Sequence, residues 1–202
     1  MTKIKLCGLS RACDLEAANE LRPEYIGFVF APKSRRYVSP EKAAELKGML
    51  ASGIQAVGVF VNEAPQKVAA LLTKRVIDIA QLHGTETEEY IKELRTLTDQ
   101  PIIKAFRVET VQDAVKVNQS QADYVLLDSG AGTGMVFDWS LIKMIQRPYF
   151  LAGGLDAENV SEAIKTWHPY AVDVSSGVEH DGYKDKNRMA AFVCAVRKEE
   201  TL

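Results

Sequence analysis

With 202 residues, 47% of them hydrophobic and 26% charged, the chain has the makeup of a globular protein that buries one substantial core. A net charge of -2 supplies no overall positive field for nucleic acid or an anionic membrane, so small molecules are the expected partners. No apolar run reaches the ~20 residues that span a bilayer, and the apolar part of MTKIKLCGLS is too short for a secretory signal; a cytoplasmic protein is expected.

Eight β-branched or aromatic runs follow in chain order: KIKLCG, YIGFVF, QAVGVFV, IDIAQLHG, PIIKAFRV, DYVLLDS, PYFLAGG and YAVDVSSG. Each is followed by a segment rich in Ala, Leu, Glu and Lys, predicting a helix after every strand. Ser10, Ser39 with Pro40, and Asp156 stand where caps or first helical turns belong. Strand starts recur about every 25 residues without a Pro/Gly/Ser linker, so the repetition lies within one domain spanning residues 1–202. Eight near-equal units in this length predict an α/β single-domain (β/α)8 TIM barrel, with a doubly wound open sheet as the alternative.

In a closed barrel every strand ends at one face, where active sites of such barrels lie. That face would gather Cys7, Arg36, His83, Asp128, Gly153, Gly154, Ser175, Ser176 and Gly177. Taken singly, each residue has an ordinary structural explanation: a free Cys packs as a small hydrophobe, and an Asp can cap a turn. The three cysteines, Cys7, Cys13 and Cys194, form no C-x-x-C pair and predict free thiols. His168 and His180 show no metal-ligand spacing, so no metal is predicted. The last two loops say more. Gly153 and Gly154 after strand seven, with Ser175, Ser176 and Gly177 after strand eight, occupy the usual phosphate position of a barrel, and GVEHDGYKDKN leaves room for the short helix that often completes it. GAGTG after strand six lacks a G-x-G-x-x-G arrangement and predicts a mobile loop beside Asp128 rather than a dinucleotide site.

Strand alternation puts Lys5 and Cys7 on one inward face, Asp128 with Leu126 and Tyr124, and Ser175 with Asp173. Lys5, Lys104 and Asp173 are expected to meet inside, with Asp173 neutralising at least one lysine, because buried charges must be paired. Such cations would also favour the thiolate of Cys7.

The ordered set KLCGLSR, GFVFAPKSRRYVSP, VGVFVNE, QLHG, LLDS, GTGMVFDW, LAGGLDAENV and AVDVSSGVE resembles the phosphoribosylanthranilate isomerase family over nearly the whole chain. The resemblance implies an Amadori rearrangement of N-(5-phosphoribosyl)anthranilate in tryptophan biosynthesis, without cofactor or metal. It matches Cys7 to the general base, Asp128 to the general acid, and Arg36 to the arginine that engages the anthranilate carboxylate, with Arg35 as the adjacent competitor. His83 is placed at the site, either near substrate or as a structural tie, and Gln81 shares its inward parity. Met135 and Val136 depart from the more polar residues of the family pattern. The alternatives are another phosphosugar barrel, such as an epimerase or a lyase, and a non-catalytic phosphosugar-binding barrel. A monomer is expected.

Overall fold

Each of the eight runs forms a strand in the computed structural model, which describes residues 1–128 and 139–199. In chain order β1 (Lys3–Cys7), β2 (Tyr25–Val29), β3 (Gln55–Phe60), β4 (Ile79–Leu82), β5 (Ile102–Phe106), β6 (Tyr124–Asp128), β7 (Tyr149–Ala152) and β8 (Ala171–Val174) pair in parallel, each with the next. β8 returns to β1 through Ile4 opposite Val172 and Lys5 opposite Asp173, so the sheet closes and the open alternative is excluded.

Helices α1 (Ala12–Leu21), α2 (Pro40–Gly48), α3 (Pro65–Thr73), α4 (Glu88–Arg95), α5 (Val111–Gln119), α6 (Val160–Trp167) and α7 (Lys186–Lys198) surround the barrel. The sequence signals place some starts better than others. Ser39 caps α2 by accepting from the Lys42 amide, with Pro40 in the first turn. Asp14, rather than Ser10, organises the start of α1, since its carboxylate accepts from the Ser10 and Arg11 amides. Asp156 closes a turn onto the Glu158 and Asn159 amides ahead of α6.

The expected helix after strand six is a short 3-10 segment, Trp139–Met144. Asn118 ends it: its amide donates to the Met144 carbonyl and its carbonyl accepts from the Gln146 amide, groups that a longer helix would use itself. Met135, Val136 and the GAGTG loop lie outside the described residues. The segment after β8 differs too. A single 3-10 turn, Ser176–Val178, leads into a hairpin of β9 (Glu179–His180) and β10 (Tyr183–Lys184) instead of a helix. Asp181 and Gly182 both have positive φ, 49° and 82°, which is the Asp-Gly geometry of a tight hairpin turn.

Two apolar layers follow from strand alternation. Ile4, Leu6, Ile26, Phe28 and their neighbours pack outward beneath the helices, whereas Tyr25, Val57, Ile79, Ile103, Leu126, Phe150 and Ala171 fill the barrel. Tyr25, Tyr124 and Tyr170 gather around Phe150, and the Lys3 ammonium donates to the Tyr170 hydroxyl at 2.7 Å. Lys5 points inward as predicted, fully buried, and pairs with Asp173 at 2.8 Å.

Lys104 does not join that pair. On β5 the interior positions are Ile103 and Ala105, so Lys104 points out of the barrel and reaches Glu86 at 2.9 Å and the Gly84 carbonyl at 2.8 Å. The rule that a buried cation takes a partner holds, with a carboxylate from the β4–α4 loop. Glu86 also accepts from the Asn62 and Gly84 amides, which ties the loops after β3 and β4 together.

Candidate active site

The strand ends enclose a cavity of about 370 Å³ at the C-terminal mouth of the barrel. Cys7, Arg36, His83, Asp128, Gly153, Gly154, Ser175 and Ser176 all line it, so eight of the nine sequence-predicted residues come together. Gly177 does not. It lies where the two last loops touch: a Cβ on it would stand 2.0 Å from the Leu155 carbonyl oxygen, so its bareness lets those loops approach.

Cys7 ends β1 with only 8% of its surface exposed, against Val29 and Val59. Its register partner is Gly27, and a Cβ there would lie 2.7 Å from the Cys7 sulfur. Glycine at this point of β2 therefore makes the space in which the thiol sits. Burial pushes the Cys7 thiol above its ordinary value; Lys5 and Lys184 pull it down, and Asp173 pushes it back up. Of the two lysines expected to favour the thiolate, Lys5 does so and Lys104 does not act on it, being turned out of the barrel to Glu86; burial outweighs the help of Lys5 and Lys184. Asp173 already holds the Lys5 ammonium, and burial disfavours the ionised sulfur.

His83 and Asp128 face each other across the mouth, with Nε2 3.4 Å from Asp128 Oδ2. β5, which runs between their strands, presents the small Ala105 on the same interior side. Gln81 Nε2 lies 2.9 Å from His83 Nδ1; with the amide donating, the imidazole proton sits on Nε2, the nitrogen that faces Asp128 at 3.4 Å. Gln81 Oε1 and Asp173 Oδ1 are buried atoms without a hydrogen-bond partner among the described residues, and both side chains line the cavity.

Gly153 and Gly154 turn the chain after β7 with φ of 96° and 64°, a backbone path costly for any side chain. Ser175 Oγ donates to the Cys7 carbonyl at 3.2 Å, fastening the end of β8 to the end of β1. Between them these loops present bare backbone and hydroxyls to the cavity, the groups that bind phosphate in barrels of this kind.

Arg36 lies in the turn after β2, with its amide donating to Ser34 Oγ. Its guanidinium meets Glu179 through two bonds, Nε to Oε1 at 2.5 Å and Nη2 to Oε2 at 2.8 Å. Arg35 also reaches Glu179, but its side chain is 60% exposed against 23% for Arg36, and Arg36 is the one that lines the cavity. Glu179 and Lys184 were not singled out by the sequence, because only the hairpin, paired Glu179 to Lys184, brings them to the mouth.

Hydrogen-bonding and ionisable groups on facing walls of one cavity, at the C-terminal end of a (β/α)8 barrel, give the chain the site of a barrel enzyme. Residues 4–195 match the family model of N-(5'phosphoribosyl)anthranilate (PRA) isomerase, and the chain belongs to that family. It is 46% identical over 204 aligned residues to the N-(5'-phosphoribosyl)anthranilate isomerase of Caldanaerobacter subterraneus subsp. tengcongensis, covering 98% of each chain. The crystal structure of the Thermotoga maritima phosphoribosyl anthranilate isomerase superposes with a TM-score of 0.87 at 36% identity, covering all of both chains. A further phosphoribosyl anthranilate isomerase, solved with reduced 1-(o-carboxyphenylamino)-1-deoxyribulose 5-phosphate, matches with a TM-score of 0.86 at 35% identity over 98% of this chain and all of that one. Among the described residues no helix is long and apolar enough to cross a membrane.

Proposed function

We propose that Cys7 and Asp128 act as base and acid in the isomerisation of N-(5'-phosphoribosyl)anthranilate, the tryptophan-biosynthetic activity that the family carries. The observation that carries this reading is the placement of both residues on the walls of one cavity, with His83 against Asp128 and Arg36 nearby. Asp128, protonated when substrate binds, gives its proton to the furanose ring oxygen as the C1–O bond breaks. The aniline nitrogen lone pair stabilises the resulting iminium at C1. Cys7, as thiolate, then takes the proton from C2; the C2–H electrons form the C1–C2 double bond and the iminium electrons return to nitrogen. The enolamine gains a proton at C1 and loses the C2 hydroxyl proton, giving the ketone.

His83, 3.4 Å from the acid, keeps Asp128 in position, with Gln81 fixing the imidazole ring. Arg36 receives the anthranilate carboxylate, and Gly153, Gly154, Ser175 and Ser176 receive the phosphate; Gly177 serves that loop by letting it close on Leu155. Since burial keeps Cys7 mostly as the thiol, its reactive fraction grows with pH, and Lys5 and Lys184 supply the positive field that opposes the burial cost. Residues 1–202 are taken as one domain because the eight strands close into a single barrel, and the chain is proposed to act as a monomer.

The test is the loss of substrate fluorescence when the purified chain meets freshly condensed N-(5'-phosphoribosyl)anthranilate. First-order consumption proportional to protein concentration is expected. Consumption no faster than in buffer would overturn the assignment.

A further inference from the structure

Glu179 is 7% exposed, and its carboxylate carries three cations: Arg36 through two bonds, Arg35 at 2.6 Å and Lys184 at 2.7 Å. Burial alone would raise its pKa, but Arg36 and Lys184 hold it down to about 2, so it is ionised throughout the neutral range. Lys184 also donates to the Ser175 carbonyl at 2.8 Å, and the backbone of the hairpin is held by Arg188, which donates to the Glu179 carbonyl. Glu179 thus sits on a braced support between the loop after β2 and the loop after β8.

The pairing uses one particular edge of Arg36. A guanidinium has five N–H donors, with a side edge formed by Nε and one Nη and an end edge formed by the two Nη atoms. Glu179 takes Nε and Nη2, and Arg36 Nη1 has no protein partner among the described residues. We propose that Glu179 is a positioning residue for substrate recognition: it clamps the side edge of Arg36, so that the end edge receives the substrate carboxylate. This rests on the reading that Arg36 engages that carboxylate. A planar fork fixed in this way accepts a second carboxylate with little further loss of side-chain freedom, whereas a free arginine would have to be ordered by the substrate itself. It also explains why an ammonium does not serve here. One Lys cannot present a rigid fork to Glu179 and another to substrate.

The experiment compares Glu179→Gln with wild type on two substrates made by condensing ribose 5-phosphate with either anthranilate or aniline. The second lacks the carboxylate. For the anthranilate compound KM rises about tenfold in the variant while kcat stays within about threefold. For the aniline compound both constants stay within about threefold of wild type. In an Arg36→Met background Glu179→Gln adds nothing further to KM. If Glu179→Gln does not fold by circular dichroism, Glu179→Asp carries the same test, because it keeps the charge near Lys184 and withdraws it from Arg36. An equal change with both substrates would mean a structural role for Glu179 and overturn the inference, as would an unchanged KM for the anthranilate compound. Absence of wild-type turnover with the anthranilate compound removes the functional reading, and the inference falls with it.

Discussion

Placing one methyl group on Gly27 tests how closely the position of the Cys7 thiol is set. In Gly27→Ala the new Cβ would lie 2.7 Å from the Cys7 sulfur, 3.1 Å from its Cα and 3.3 Å from its Cβ. Comfortable contacts between such atoms lie at about 3.5–4.0 Å, so the sulfur has to move by about 1 Å or the strands have to part. Parting is resisted, because the Gly27 carbonyl accepts from both the Gly8 and Leu9 amides at 2.8 and 3.0 Å. The thiol therefore gives way. A displacement of that size from a reacting carbon lowers kcat by about 100-fold, while overpacking costs about 1–3 kcal/mol of stability. Gly48→Ala, where nothing lies within 4 Å of the new Cβ, serves as the control with wild-type kcat. Fluorescence turnover together with a thermal melt separates the two effects. A folded Gly27→Ala enzyme with kcat within about threefold of wild type would refute the argument that Cys7 must sit where β2 leaves room for it.

Lys5→Met strands Asp173 in the barrel and removes a cation that lowers the pKa of Cys7. Urea unfolding should show a loss of about 3–5 kcal/mol, and adding Asp173→Asn should restore part of it; additive losses would contradict a pairwise role. In wild type, kcat/KM should climb with pH through the neutral range, because the buried thiol ionises above its ordinary value, and in Lys5→Met that rise should move to higher pH. A profile flat from pH 6 to 9 in both proteins would exclude Cys7 ionisation as the controlling event. Glu179 is depressed from the ordinary 4.5 to about 2, so the stability it contributes is present above pH 4.5 and is lost as pH falls towards 2. The full amount is about 3 kcal/mol. Denaturant titrations of wild type and Glu179→Gln between pH 5 and 2.5 should differ by that slope, and parallel curves would count against it.

Much of the barrel is legible because its strands are continuous apolar runs bounded by turn residues, and because inward and outward faces alternate strictly. Parity located Lys5 and Cys7 correctly, since β1 begins cleanly at Lys3. It failed for Lys104 because PIIKAF is apolar on both faces, so composition does not say which face holds the lysine; the pairing of Gln81 with Ile103 does. The hairpin at Asp181 and Gly182 carried its own turn signature, outweighed by the expectation of a phosphate helix. Glu179 was invisible as a site residue for a different reason. Its partner Arg36 is 143 residues away, and no local pattern announces a contact that only the closure of the barrel creates. The same holds for Gly27, whose function appears only when the neighbouring strand brings Cys7 against it.

Single-turnover fluorescence of Cys7→Ser and Asp128→Asn beside wild type, with saturating enzyme, reads the proton transfers apart from binding. Each variant should bind the substrate, retain its fold and lose at least about 100-fold in the chemical step, because each lacks one of the two proton transfers. Wild-type rates in both variants would contradict the base and acid roles of the two residues.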